Sequence, residues 1–251
     1  MPAPEDIRAL RRDKYDDDPE ADLSADVERL ASGEPLAYVI GWIPFLGLKI
    51  RLDTLPLIPR PETEWWTEEL IAHLREKFGT REFALLDLCA GSGAIGLAVL
   101  AALPNARVAF GEIVPEHCAL IRRNLEANGL DGSRVQVCAS DLFGSLPPDA
   151  RYDVIVSNPP YVPEGRALPA SVSQYEPHRA LFAGRDGLSL IRRIAAETKG
   201  RLHPGGEVWL ECDAGHAQEV ETIFTEAGAA ATELHTDPYG RPRLVVSYWN
   251  A

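Results

Sequence analysis

At 251 residues, with 45% hydrophobic and 25% charged side chains, the chain has an ordinary globular composition, long enough for one large α/β domain and a small appendage. Its formal net charge of −13, with 25 scattered basic residues, argues against a protein whose main task is to grip a phosphate backbone. Cys89, Cys118, Cys138 and Cys212 lie far apart without a Cys-x-x-Cys pair, and the six histidines show no metal-ligand spacing, so reduced thiols and no structural metal are expected. No apolar run approaches membrane-spanning length, and the N-terminus is acidic and polar rather than basic and then apolar, which makes the cytoplasm the expected location.

Residues 1–35 read as a short helical extension. Apolar spacing predicts one helix around Ile7 to Arg12 and another over Leu23, Val27, Leu30 and Ala31, with Ser24 as a candidate cap. From Tyr38 to Leu52 the pattern turns β-like: Tyr38-Val39-Ile40 and Leu48 to Leu52, with Gly41, Pro44 and Gly47 between them, predict a hairpin. Pro61, followed by acidic residues, fits the first turn of a helix carrying Trp65, Trp66, Leu70, Ile71 and Leu74. Acids and a threonine at that helix start are ordinary capping residues, or groups that close over a ligand.

The next unit is the clearest. Phe83 to Leu88 is a buried strand, Cys89, Ala90, Gly91, Ser92 and Gly93 form a tight loop, and Ala94 to Ala102 is an apolar helix. Gly91, Gly93 and Gly96 satisfy G-x-G-x-x-G directly after a strand, and Glu112 follows a second strand where a ribose-binding acid is expected. Glycines let the backbone approach a ligand and the carboxylate accepts from ribose hydroxyls, a chemistry that NAD and S-adenosylmethionine share. A helix through Cys118, Leu120, Ile121 and Leu125 and a strand over Val135 to Cys138 come next. That strand ends at Ser140, Asp141, Leu142 and Phe143, where Asp141 can accept from an adenine amino group and Leu142 or Phe143 can touch the ring.

Asp153 to Ser157 is another buried strand, and it stops at Asn158-Pro159-Pro160-Tyr161 because the prolines lack an N–H and fix φ. The strand's carboxyl end is where ligands sit in open α/β sheets. Asn158 can accept from a planar nitrogen's N–H, the Pro159 carbonyl can accept another, and Tyr161 can pack on the flat face. The plainer reading of the same residues is a strand followed by a stiff turn. Beyond it, Leu188 to Arg201 predicts a helix ended by His203-Pro204-Gly205-Gly206, Glu207 to Leu210 a strand, Ala217 to Ala227 a helix, and Leu244 to Tyr248 a last strand. His203 and His216 fall at helix edges and read as capping or surface groups.

Four segments together carry a resemblance: Gly33 to Gly41, the Leu57-Ile58-Pro59-Arg60-Pro61-Glu62-Thr63-Glu64 stretch, Asp87 to Gly96, and Val156 to Tyr161. Tyr175-Glu176-Pro177, Ala180-Leu181 and Asp186-Gly187 add to it. The chain resembles the HemK/PrmC-type family of S-adenosylmethionine-dependent protein-glutamine N5-methyltransferases, which modify the Gly-Gly-Gln motif of peptide-chain release factors. The resemblance implies an α/β, Rossmann-like, seven-stranded class I S-adenosylmethionine-dependent methyltransferase sheet whose last strand is antiparallel, with a short N-terminal helical segment and a β-hairpin. It implies S-adenosyl-L-methionine as cofactor, held by Cys89, Ala90, Gly91, Ser92, Gly93, Glu112, Asp141, Leu142 and Asn158. It places the substrate on Asn158, Pro159, Pro160 and Tyr161, with Asn158, Pro159 and Tyr161 catalytic and no metal. The expected layout is an extension (1–35), a hairpin and linker helix covering the site (36–78) and a catalytic domain (79–251). A release factor is the expected partner of a monomer, with no nucleic acid and no membrane. Family members often carry Gly-Thr where this chain has Cys89-Ala90, and their N-terminal helical domain is longer. The competing reading is a nucleic-acid adenine or cytosine N-methyltransferase with the same Asn-Pro-Pro-Tyr; a nicotinamide oxidoreductase leaves that motif unexplained.

Overall fold

The computed structural model describes residues 2–250. Three helices open the chain: α1 (Pro4–Tyr15), α2 (Ser24–Ala31) and the single-turn α3 (Leu36–Ile40). Leu10, Leu23 and Val39 close a small core between them. Tyr38-Val39-Ile40 is therefore helical, not the first hairpin strand. Pro35 precedes that turn and Gly41, with φ of 92°, ends it in the left-handed region, and a three-residue apolar run carries no period that separates helix from strand. Ser24 is likewise not a cap; it lies inside α2, and Asp22 accepts from its N–H at 2.9 Å.

The hairpin follows as β1 (Trp42–Phe45) and β2 (Leu48–Arg51), paired from Trp42↔Arg51 to Phe45↔Leu48. Helix α4 (Pro61–Phe78) starts at its proline with Glu62 and Glu64 in the first turn, where the N-terminal dipole favours acids. Then the βα alternation begins: β3 (Phe83–Leu88), α5 (Ala94–Ala102), β4 (Ala106–Glu112), α6 (Pro115–Ala127), β5 (Val135–Ala139) and β6 (Tyr152–Ser157). Short α7 (Ala170–Ser173) and α8 (His178–Leu181) lie in the crossover to α9 (Ser189–Thr198), and β7 (Leu202–Glu211), α10 (Ala217–Glu226), β8 (Ala231–Thr236) and β9 (Pro242–Tyr248) complete the chain.

The seven main strands run in the order β5-β4-β3-β6-β7-β9-β8, with β9 antiparallel to both neighbours. Alternate residues of each strand feed two cores: Leu85, Val154 and Val156 pack on the α4–α5–α6 face, and Leu86, Leu88 and Ile155 on the α9–α10 face. The strand order reverses between β3 and β6, and a crevice opens there at the carboxyl ends of the strands.

Two C-terminal expectations change. His203 to Gly206 do not end a helix: α9 stops at Thr198, one 3₁₀ turn follows, and these residues already belong to β7. His203 is thus an exposed strand residue. Strand β8 escapes sequence reading because it is an edge strand with no fully buried position and hence no apolar alternation.

Candidate active site

Five strand ends meet at the crevice. After β3 the backbone enters the left-handed region at Cys89 (φ 59°) and Gly91 (φ 54°), and Gly93 begins α5. Nothing lies within 4 Å of where a Gly91 side chain would point, so its backbone faces the open cavity; a methyl at Gly96 would meet Phe110 at 2.4 Å, so that glycine sets how closely α5 packs on β4. Asp87, fully buried, accepts from the Gly96 N–H at 2.9 Å while its other oxygen has no partner among the described residues. Burial, opposed by that hydrogen bond and assisted by the nearby Glu112 charge, pushes its carboxyl up to about 8.

Glu112 ends β4. Its carboxylate accepts from the N–H of Gly91 at 2.7 Å and of Val114 at 2.8 Å, and His117 Nδ1 lies 3.7 Å away. Burial acts to raise this carboxyl, but the bonds from His117, Val114 and Gly91 outweigh it and hold it below the usual glutamate value. Ser140, just past β5, donates to the Leu142 carbonyl at 2.7 Å and accepts from the Ser145 N–H at 2.9 Å. This turn places Leu142 at φ 49° with its side chain in the wall, and Asp141 at the rim pairs with Arg193 at 3.1 Å.

These groups line a cavity of about 310 Å³, in the range of small-molecule sites of about 300–1,000 Å³. Cys89, Gly91, Glu112, Asp141, Leu142, Asn158 and Pro160 all reach it; Ala90, Ser92, Gly93, Pro159 and Tyr161 do not line it. Leu57, the first residue of the stretch that carries the resemblance, also lines it, and wall residues without a signal in the sequence include Ile113, His117 and Arg179. The open face at Gly91, a carboxylate beside it, an apolar wall and a second acid at the rim fit a nucleoside group with hydroxyls, a flat ring and an amino function.

Asn158, at the end of β6, donates through Nδ2 to Thr63 Oγ1 at 3.1 Å. Thr63 donates to Glu211 Oε2 at 2.7 Å, Trp66 Nε1 donates to the same oxygen at 2.7 Å, and the Tyr161 hydroxyl donates to Oε1 at 3.1 Å. Tyr161 thus has its hydroxyl turned to a carboxylate, and burial beside Glu211 drives that hydroxyl well above its ordinary value. Glu211 ends β7; burial raises its carboxyl against the lowering effect of Thr63, Trp66 and Tyr161. Sequence reasoning missed Glu211, Asp87 and Ser140. The available signal for Glu211 was its place as an acid closing one more apolar strand.

Residues 65–174 match the family described as the methyltransferase small domain. The chain is 37% identical over 229 residues to the release factor glutamine methyltransferase of Deinococcus radiodurans, spanning 91% of this chain and 79% of that protein. It is 38% identical over 221 residues to that of Geobacter sulfurreducens, spanning 87% and 75%. The chain belongs to the release factor glutamine methyltransferase family. Its fold is also that of the T. thermophilus 16S rRNA N2 methyltransferase solved with AdoMet and guanosine, at a TM-score of 0.55 and 23% identity over 83% of this chain and 50% of that one.

In this release factor glutamine methyltransferase family member, the Ile58 to Glu64 stretch and the Tyr175-Glu176-Pro177 segment, both part of the resemblance, touch. Glu176 accepts from the Ile58 N–H at 3.1 Å and from Arg60, binding the Ile-Pro-Arg-Pro stretch to the crossover after β6. Val162 and Phe182 form a parallel bridge that holds the same crossover beside the Asn-Pro-Pro-Tyr loop. Among the described residues, no group of three or more His, Cys, Asp or Glu could hold a metal ion, and no helix is long and apolar enough to cross a membrane.

Proposed function

We propose that this protein methylates the side-chain nitrogen of the glutamine in the Gly-Gly-Gln motif of a peptide-chain release factor. The observation that carries the reading is Asn158, an amide in the wall of the cavity that Gly91, Glu112 and Asp141 also line, in a chain of this family. S-adenosyl-L-methionine, when bound, supplies an electrophilic methyl group on a sulfonium. Cys89, Gly91 and the wall residue Leu142 are groups that would hold it, with Ala90, Ser92 and Gly93 completing the turn that presents the loop. Glu112 has acceptor lone pairs left for ribose hydroxyls, and Asp141 for an amino group on the ring.

An amide nitrogen is a weak nucleophile because its lone pair is delocalised into the carbonyl. Asn158 Oδ1 and the Pro159 carbonyl accept its two N–H groups, which aligns the nitrogen and stabilises positive charge as it develops. Pro160 and Tyr161 bound the substrate side, the ring being held by its bond to Glu211. The amide nitrogen would take the methyl of bound S-adenosylmethionine, the S–C bond breaking as the N–C bond forms, and one amide proton would pass to a carbonyl oxygen and then to water. Residues 1–35 and 36–78 form the extension and cover over a catalytic unit of residues 79–251, acting as a monomer in the cytoplasm, without metal, membrane or nucleic-acid partner.

Mass spectrometry of a bacterial release factor incubated with the protein and S-adenosylmethionine tests this, with an adenine-containing oligonucleotide in parallel. One added methyl on the Gly-Gly-Gln glutamine, lost in Asn158→Ala with cofactor binding intact, is the expected result. Methyl on the oligonucleotide alone would overturn the reading in favour of nucleic-acid amino methylation.

A further inference from the structure

Asn158 has an acceptor end and a donor end, and the proposed reaction uses only the acceptor. Rotated by half a turn, its amide presents N–H to a substrate N–H, and the contact becomes repulsive. Something must hold the orientation.

The arrangement around Glu211 does so by exclusion. Trp66 Nε1 can only donate, so Glu211 Oε2, 2.7 Å away, is an acceptor toward it. Thr63 Oγ1, 2.7 Å from the same oxygen, commits its one proton there. What Thr63 turns toward Asn158 is a lone pair, which can only accept. Asn158 Nδ2 at 3.1 Å satisfies it, whereas Oδ1 in that place would set lone pair against lone pair. Oδ1 takes no hydrogen bond from any described residue and is the end left for a ligand, on a side chain that reaches the cavity.

We propose that Thr63 and Glu211 are positioning residues that lock the amide of Asn158 with Oδ1 toward the substrate nitrogen. The assignment rests on the role given above to Asn158. It links three distant parts of the chain, since Thr63 starts α4, Asn158 follows β6 and Glu211 ends β7. It also gives the threonine of the Pro-Glu-Thr-Glu stretch a task other than helix capping.

Thr63→Val keeps the shape and removes the relay, and should lower kcat on a release factor about 10- to 100-fold with S-adenosylmethionine affinity unchanged; Thr63→Ser should restore kcat to within about threefold. Glu211→Gln should leave the relay intact, because its carbonyl oxygen can take the Trp66 and Thr63 donors while its N–H₂ faces the Tyr161 hydroxyl, whereas Glu211→Leu removes the acceptor and frees the Thr63 proton to turn toward Asn158, favouring the wrong orientation. The Thr63→Val/Glu211→Leu double variant should therefore be no slower than Glu211→Leu by more than about twofold, while independent packing roles would give additive losses and overturn the proposal. A Thr63→Val kcat within about twofold of wild type would also overturn it. A second measurement needs no substrate: ¹⁵N NMR of the Asn158 side-chain amide in the full chain, identified by its disappearance in Asn158→Asp. One N–H slow to exchange in wild type and Thr63→Ser but fast in Thr63→Val supports the lock, and equal exchange in all three rejects it. If wild type methylates no release factor, the substrate assignment fails while the NMR result still decides the orientation.

Discussion

Arg60 and Glu176 stand 116 positions apart in the chain and form an ion pair beside the cavity, with the Glu176 side chain 1% exposed. The same carboxylate takes the Ile58 N–H, so it is both charge partner and the acceptor for a buried backbone donor. Removing it leaves both unpaired. Glu176→Ala should cost about 2–4 kcal/mol in urea unfolding, and Glu176→Gln, which keeps an acceptor for Ile58, clearly less.

Glu112 organises the glycine loop through Gly91 before any ligand arrives, and it keeps lone pairs for hydroxyls. A hydrogen bond to a charged group is worth about 1.5–3 kcal/mol. Glu112→Ala should weaken S-adenosylmethionine binding by about 10- to 100-fold in isothermal titration calorimetry, and Glu112→Gln by less.

Asp87 gives a pH dependence with a definite sign. Its folded-state value of about 8 lies above the 3.8 of an ordinary aspartate, so between these the native state holds a proton that the unfolded chain has lost. The contribution to stability is complete below about 4, falls as pH rises, and levels off above about 8. Asp87→Asn, which keeps an acceptor for the Gly96 N–H, does not titrate. The stability of Asp87→Asn relative to wild type should increase from pH 5 to pH 8 and change little from pH 9 to pH 10 in urea unfolding.

Gly96 tests the packing of α5 on β4. A methyl there overlaps the Phe110 ring, which is fully buried. Overpacking of this kind costs about 1–3 kcal/mol. Gly96→Ala should lower the unfolding free energy by that amount, whereas Gly129→Ala, with open space around the missing side chain but a φ of 63°, should show only the smaller cost of the left-handed conformation.

Local chemistry was enough for the parts of this protein that local chemistry makes. Phe83 to Leu88 and Asp153 to Ser157 read as buried strands because each is an apolar run closed by glycines or prolines, and the cavity-lining groups Gly91, Glu112, Asp141 and Asn158 follow from what stands at successive strand ends. Tyr38 to Ile40 and the edge strand β8 were not legible, one too short to show a period and the other too exposed to show alternation. The orientation of Asn158 depends on Thr63 and Glu211, 95 and 148 positions of separation bridged by single hydrogen bonds. Such bonds have no signature in spacing or composition, because they exist only where the sheet order carries β6 and β7 side by side and α4 over their ends. The sequence by itself determined the strand-end groups Gly91, Glu112, Asp141 and Asn158; the tertiary structure alone decided that Glu211, His117 and Arg179 join them and which way the side chains face, since that is settled by which donor meets which acceptor once the strands are assembled.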